Sequence, residues 1–190
     1  MASRQEEIQL ITSTAQLRSI ASPKRLQIIR ALEQLREGSV KEIATQVGAK
    51  KESVYYHVHA LVKSGIIVLH ERRSTSRRDE AVYRLKAKSV EIHPRHLSKA
   101  YLEAMADLVS AGLRLSDRQH RAALMNPDTV VTGPDRERGY IQTEGRLNKS
   151  SLHKLNRMME DVYEFIRDYE VPEGEGASYS VSMLIHPTLK

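Results

Sequence analysis

The chain has 190 residues, 40% of them hydrophobic and 28% charged, with one phenylalanine and no tryptophan, so a folded core has to be mostly aliphatic. It contains no cysteine, which excludes disulfides and thiolate metal sites; no segment reads as a signal peptide or approaches transmembrane length, and a cytoplasmic location is expected. The net charge of +6 is concentrated: residues 1–92 hold 17 Lys and Arg against 10 Asp and Glu, a net of +7, whereas residues 93–190 hold 13 against 14, a net of −1. Such asymmetry favours a polyanion as partner of the first half, and no helix pairs a basic face with large exposed apolar residues as a membrane surface would require.

Residues 1–7 are polar and read as a frayed end. Ile8, Leu10, Ile11, Ala15, Leu17 and Ile20 then predict an opening helix within Glu7–Ile20. Ser22-Pro23 predicts the start of the next helix, with Ser22 as its cap and proline at the first helical position. Leu26, Ile28, Ile29, Leu32 and Leu35 supply its apolar face, and Gly38 is expected to close it. Arg25 near its start reads as a solvated residue or a phosphate contact.

Ser39-Val-Lys-Glu42 has the spacing of a capping box, in which the serine hydroxyl and the glutamate carboxylate each serve the other residue's amide. Val40, Ile43, Ala44 and Val47 follow at helical spacing, and Gly48 ends that helix. A second helix is predicted from Lys50 or Lys51 to Ser64, burying Val54, Val58, Leu61 and Val62 and ending at Gly65. Two short helices around a glycine turn are a DNA-reading unit, the second helix entering the major groove. On its open side lie Lys51, Glu52, Ser53, Tyr55, Tyr56, His59 and Lys63, with Lys50 at its start. Lysine and serine can pair with guanine or phosphate, glutamate can accept from cytosine, and tyrosine can pack on a thymine methyl. Ile66–Arg73 reads as a strand and Ala81–Leu85 as its return. The loop between them carries Arg72, Arg73, Arg77 and Arg78 with three hydroxyl residues, a composition suited to a minor groove or a phosphate track.

The run Gly48-Ala-Lys-Lys-Glu-Ser-Val-Tyr-Tyr-His-Val58, followed by Leu61 and Gly65-Ile-Ile67, resembles the ArsR-type winged-helix repressors. His57-Val58 stands where that family shows His-Leu, Tyr55 where it often has serine, and Lys50 where it often has a serine cap. The resemblance covers residues 10–90. It implies a winged helix-turn-helix that binds double-stranded DNA as a homodimer, a repressor role, and a dimer contact from the opening helix. The cysteine-based metal and redox sensing of many members is absent from this chain.

Beyond the hairpin, Lys86–Pro94 reads as a polar connector. Arg95–Leu124 carries a long helical pattern in Leu97, Tyr101, Ala104, Met105, Leu108, Ala111 and Leu115, and suits a dimerisation helix. Residues 126–139 read as a loop. Tyr140–Leu147 is expected to be a strand, Ser151–Tyr169 a helix, Pro172–Gly176 a turn and Tyr179–Ile185 a closing strand. The last quarter thus reads β-α-β. It resembles the small C-terminal module of some ArsR-type regulators, which could sense an effector, form a second dimer contact or act as a lid. The expected architecture is α+β and mainly helical: a winged helix-turn-helix over 1–92, a long dimerisation helix over 93–125 and an accessory or effector-like module over 126–190. His93 with His96, and Asp117 with His120, are too few ligands for a metal site, and no catalytic motif is found. The expected partners are double-stranded DNA, a second copy of the chain and an unidentified small-molecule effector, with no membrane, cofactor or enzymatic activity. A winged-helix protein-interaction module and a cysteine-free metal-responsive regulator are the alternatives.

Overall fold

The computed structural model of the protein describes residues 6–74, 79–93, 96–171 and 175–188. The chain divides into two compact units, Met1–Asp117 and Arg118–Lys190.

The first unit opens with a strand, β1 (Glu6–Ile11), where a helix was expected. Gln9 and Ile11 are buried while Ile8 and Leu10 are exposed, a period of two. β1 pairs in parallel with β5 (Ala87–Ile92), so the expected connector is also a strand. Its partner is about 80 residues away in the chain, and local periodicity carries no trace of such pairing. The buried Gln9 side chain donates from Nε2 to the carbonyl of Gly65 at 3.0 Å, which ties this small sheet to the end of the reading helix.

Helix α1 (Thr14–Ile20) begins only after Ser13, whose hydroxyl accepts from the Gln16 amide at 3.2 Å. α2 (Pro23–Leu35) starts at Pro23 as expected, although the Ser22 side chain makes no cap bond. It stops before Gly38: Arg36 adopts a φ of 65° and the chain enters β2 (Glu37–Ser39). Gly38 therefore lies inside a strand rather than at a helix end.

The capping box forms. Ser39 Oγ accepts from the Glu42 amide at 3.3 Å, and the Ser39 amide donates to Glu42 Oε2 at 2.7 Å. It opens α3 (Val40–Gln46), and α4 (Lys51–Lys63) follows. Gly48 and Gly65, at φ 60° and 72°, end the two helices in the left-handed region that glycine occupies without strain. β3 (Ile67–Ser74) and β4 (Asp79–Leu85) make the hairpin. β2 adds to it in the order β2-β4-β3, all antiparallel. A bulge at His70 separates the pairs Leu69↔Tyr83 and Glu71↔Val82, re-aiming the side chains beyond it.

α5 (Lys99–Met125) starts where Ser98 Oγ accepts from the Tyr101 amide at 3.2 Å. Leu97, expected on its apolar face, precedes the helix and is exposed. Tyr101, Ala104 and Leu108 join one core with Ile28 and Leu32 of α2, Ile43 of α3, and Val58 and Leu61 of α4. Each fully buried aliphatic side chain contributes at most about 1.5–3 kcal/mol, and together they hold α4 on its support.

In the second unit α6 (Lys149–Asp168) is the one element that lies wholly within it among the described residues. Asn148 caps it, accepting from the Ser151 amide at 2.9 Å. The strands expected at 140–147 and 179–185 do not form, and the β-α-β module reduces to a helix between irregular segments. Alternation alone does not make a strand; a paired edge and a face to bury are needed. Here Tyr140, Ile141, Tyr179 and Val181 all remain exposed. The expected turn at 172–176 falls largely outside the described residues.

Candidate nucleic-acid interface

Helix α4 buries Val54, Val58 and Leu61 completely and turns its other side outward. Glu52, Ser53, Tyr55, Tyr56, His59 and Lys63 are exposed there, and Lys51 is half-buried at the first turn. Tyr55 and Tyr56 are 54% and 69% exposed. The Tyr55 ring lies 4.1 Å from that of His59, which meets Tyr83 of β4 at 6.3 Å. An aromatic row thus runs from the helix to the hairpin. Tyr83 was not singled out from sequence, since its role depends on the strand packing beneath α4. Burial raises its hydroxyl pKa, with Tyr55 adding to the effect.

His57 points the other way. Burial pushes its pKa down, and Arg25 and Lys24 at the start of α2 push it further. It therefore faces the start of α2 and not the open side of α4. Arg25 itself donates from Nη1 to the Ser19 carbonyl at 2.8 Å.

At the other end of α4, Lys41, Thr45, Gly48, Lys50 and Lys51 line a shallow depression over the helix-turn-helix turn. Lys50 occupies the cap position with extended backbone and no side-chain cap bond. The first amides of α4 are therefore open to an external acceptor, at the positive end of the helix dipole. Lys41 was missed in the sequence reading because it belongs to α3 and reaches the site only through the turn.

The hairpin divides its arginines. Arg72 is exposed on β3. Arg73 faces three carboxylates: Glu37 Oε1 at 3.3 Å, Glu42 Oε1 at 3.3 Å and Glu71 Oε1 at 3.5 Å. His70 Nε2 lies 3.1 Å from the other Glu37 oxygen. The Ser39 amide holds the Glu42 carboxyl below the usual range; burial opposes this and Arg73 reinforces it. Sequence spacing could not reveal this cluster, because residues of β2, α3 and β3 assemble it across a bulge. Arg77 and Arg78 lie outside the described residues. Among the described residues no three His, Asp or Glu side chains are grouped so as to hold a metal ion, and no helix is long and apolar enough to cross a membrane.

Residues 20–70 match the sequence model of the helix-turn-helix domain family. Comparison with curated proteins gives no match. Among solved structures, the chain is similar to NolR from Sinorhizobium fredii at 20% identity, covering 50% of this chain and 79% of that one, with a TM-score of 0.31. It is similar at 23% identity to the homodimeric winged helix-turn-helix DNA-binding domain of Mb0332 from Mycobacterium bovis, a possible ArsR-family transcriptional regulator, covering 54% and 82% with a TM-score of 0.32. A MarR-family transcriptional regulator from Silicibacter pomeroyi aligns at 13% identity over 85% of this chain and 75% of that one, with a TM-score of 0.25. With a family match spanning α2 to α4 and an antiparallel hairpin directly after it, the protein carries a winged helix-turn-helix domain.

Proposed function

We propose that the protein is a sequence-reading, double-stranded DNA-binding transcriptional regulator that acts as a homodimer and represses by occupying promoter DNA. One observation carries the reading. The exposed polar face of α4 is bounded at its start by three lysines around the turn and on its flank by an arginine-bearing hairpin. Lys50 and Lys51 with the open amides of α4 would anchor phosphate; Glu52, Ser53, Tyr55, Tyr56 and His59 would meet base edges; Arg72, Arg77 and Arg78 would follow the adjacent backbone or minor groove. For the two-fold contact we assign α5, which leaves Leu102, Val109 and Leu113 open in a second apolar row beside its buried one. Two-fold symmetry then calls for inverted half-sites about one helical turn apart. Release from DNA requires an effector with different affinity for two dimer geometries.

Fluorescence anisotropy tests this with a duplex from the gene's own upstream region and a scrambled duplex, across a salt series. The upstream duplex should bind more tightly, and the preference should persist as salt rises. Lys50→Ala with Lys51→Ala should flatten the log–log salt slope by roughly 0.9 per lost phosphate contact. Absence of binding to either duplex at low salt, or an unchanged slope in the double variant, overturns the reading.

A further inference from the structure

The two exposed tyrosines of α4 are held differently. Tyr55 and His59 stand one turn apart on the same side of the helix. Their ring centroids are 4.1 Å apart at an interplanar angle of 47°. The His59 ring in turn meets Tyr83 edge-on, at 6.3 Å and 71°. Tyr83 is buried, and its strand β4 is the central one of three. Gly38 of β2 stands opposite it on one side and Leu69 of β3 on the other. The row Tyr55–His59–Tyr83 therefore runs from the reading face to a strand that is paired along both edges. The Tyr56 ring instead meets His57, its neighbour on the same helix, at 5.5 Å.

This row decides what Tyr55 shows to a ligand. Its hydroxyl lies near enough to that of Tyr83 to add to the rise of the Tyr83 pKa, so the polar end of the side chain lies toward the sheet. Its ring remains more than half exposed on the open side. A ring that is already held loses little further freedom when a ligand covers it. The ring face is uncharged and offers no donor. Base-edge donors and acceptors covered by it lose water with nothing in return, which costs free energy. The thymine methyl is the apolar group on the major-groove edges of the four bases, and covering it is favourable. Tyr55 also lies in the first half of α4, where a recognition helix meets base edges.

We propose that Tyr55, braced through His59 by Tyr83, reads one thymine methyl in each half-site, and that Tyr83 is the positioning residue for this contact. The contact rests on the DNA-binding function proposed above. It adds the chemical group that is read and a residue outside the reading helix on which the reading depends.

The tightest duplex is selected from a random pool with the full-length protein. Each thymine of one half-site, on either strand, is then replaced singly by deoxyuridine, which removes the methyl and keeps the base pairing. At least one replacement should lower affinity roughly fourfold, the worth of one buried methyl group. At that position Tyr55→Ala should bring the thymine and uracil duplexes to equal affinity, the mark of a direct coupling. Tyr83→Leu should shrink the thymine-to-uracil ratio toward one with the salt slope of binding unchanged. Tyr83→Phe keeps the ring and should keep the ratio. His59→Ala, at an exposed position, should shrink the ratio as well, and it answers the same question if Tyr83→Leu does not fold. Recovery of no preferred duplex removes the DNA-reading function, and this contact with it. A preferred duplex in which no single uracil matters, or a ratio that Tyr55→Ala leaves unchanged, overturns the methyl contact alone. A ratio that His59→Ala and Tyr83→Leu leave unchanged overturns the bracing.

Discussion

Ser39→Ala removes the hydroxyl of the capping box and nothing else. In the folded protein Ser39 is 1% exposed, and its Oγ accepts from the Glu42 amide at 3.3 Å. Loss of a serine cap costs about 0.5–2 kcal/mol. Burial places this site in the upper half of that range, since water cannot easily replace the lost acceptor. The second half of the box survives, because the Ser39 amide still donates to Glu42 at 2.7 Å. A loss of about 1–1.5 kcal/mol is expected. Urea unfolding followed by circular dichroism should show a lower midpoint with an unchanged slope. Since the Glu42 carboxyl is held below its usual range by the Ser39 amide, its stabilisation is present above the ordinary glutamate range. It is lost as pH falls through and below about 4–5. Glu42→Gln should abolish that acid-side loss while Ser39→Ala leaves most of it. A Ser39→Ala midpoint indistinguishable from wild type, or an acid profile unchanged by Glu42→Gln, would refute this account of how α3 is started.

Three further outcomes are expected. Arg72→Ala should reduce the salt slope of DNA binding more than Arg73→Ala, because the Arg73 guanidinium already faces Glu37, Glu42 and Glu71. Tyr56→Ala, at a site 69% exposed, should change stability by less than about 0.5 kcal/mol while narrowing the affinity ratio between the upstream and scrambled duplexes. With the His57 pKa lowered by burial, stability should be full above the ordinary histidine range. It should fall as pH drops below about 6.5 toward the lowered value. Urea midpoints of His57→Gln should show a flatter dependence across that window.

The parts of the fold legible from sequence are those whose cause is local. The capping box at Ser39, the left-handed glycines at 48 and 65, and the spacing of Val54, Val58 and Leu61 each act within a few residues, and they delimit α3 and α4. The parts that were not legible depend on distant partners. β1 reads as a helix until Ala87–Ile92 lies beside it, and Glu37–Ser39 is a strand only because β4 is there to receive it. The open face of α4 followed from the helical wheel, but the engagement of Arg73 did not, since its three carboxylates come from β2, α3 and β3. In the last quarter, 140–147 and the alternating run 179–185 were read as strands, although a strand also needs a paired edge, which neither segment has among the described residues.

The Arg73 cluster has a mechanical side. Its guanidinium spans Glu37 in β2 and Glu42 in the first turn of α3, so the loop end of β3 is tied to the helix that supports the turn before α4. While these ion pairs hold, they limit how far the hairpin can move relative to the reading helix. A duplex that docks on both has to fit its grooves within that limit, and part of the work of bending or narrowing falls on the nucleic acid. Base steps that deform easily would then be preferred at positions no side chain reaches.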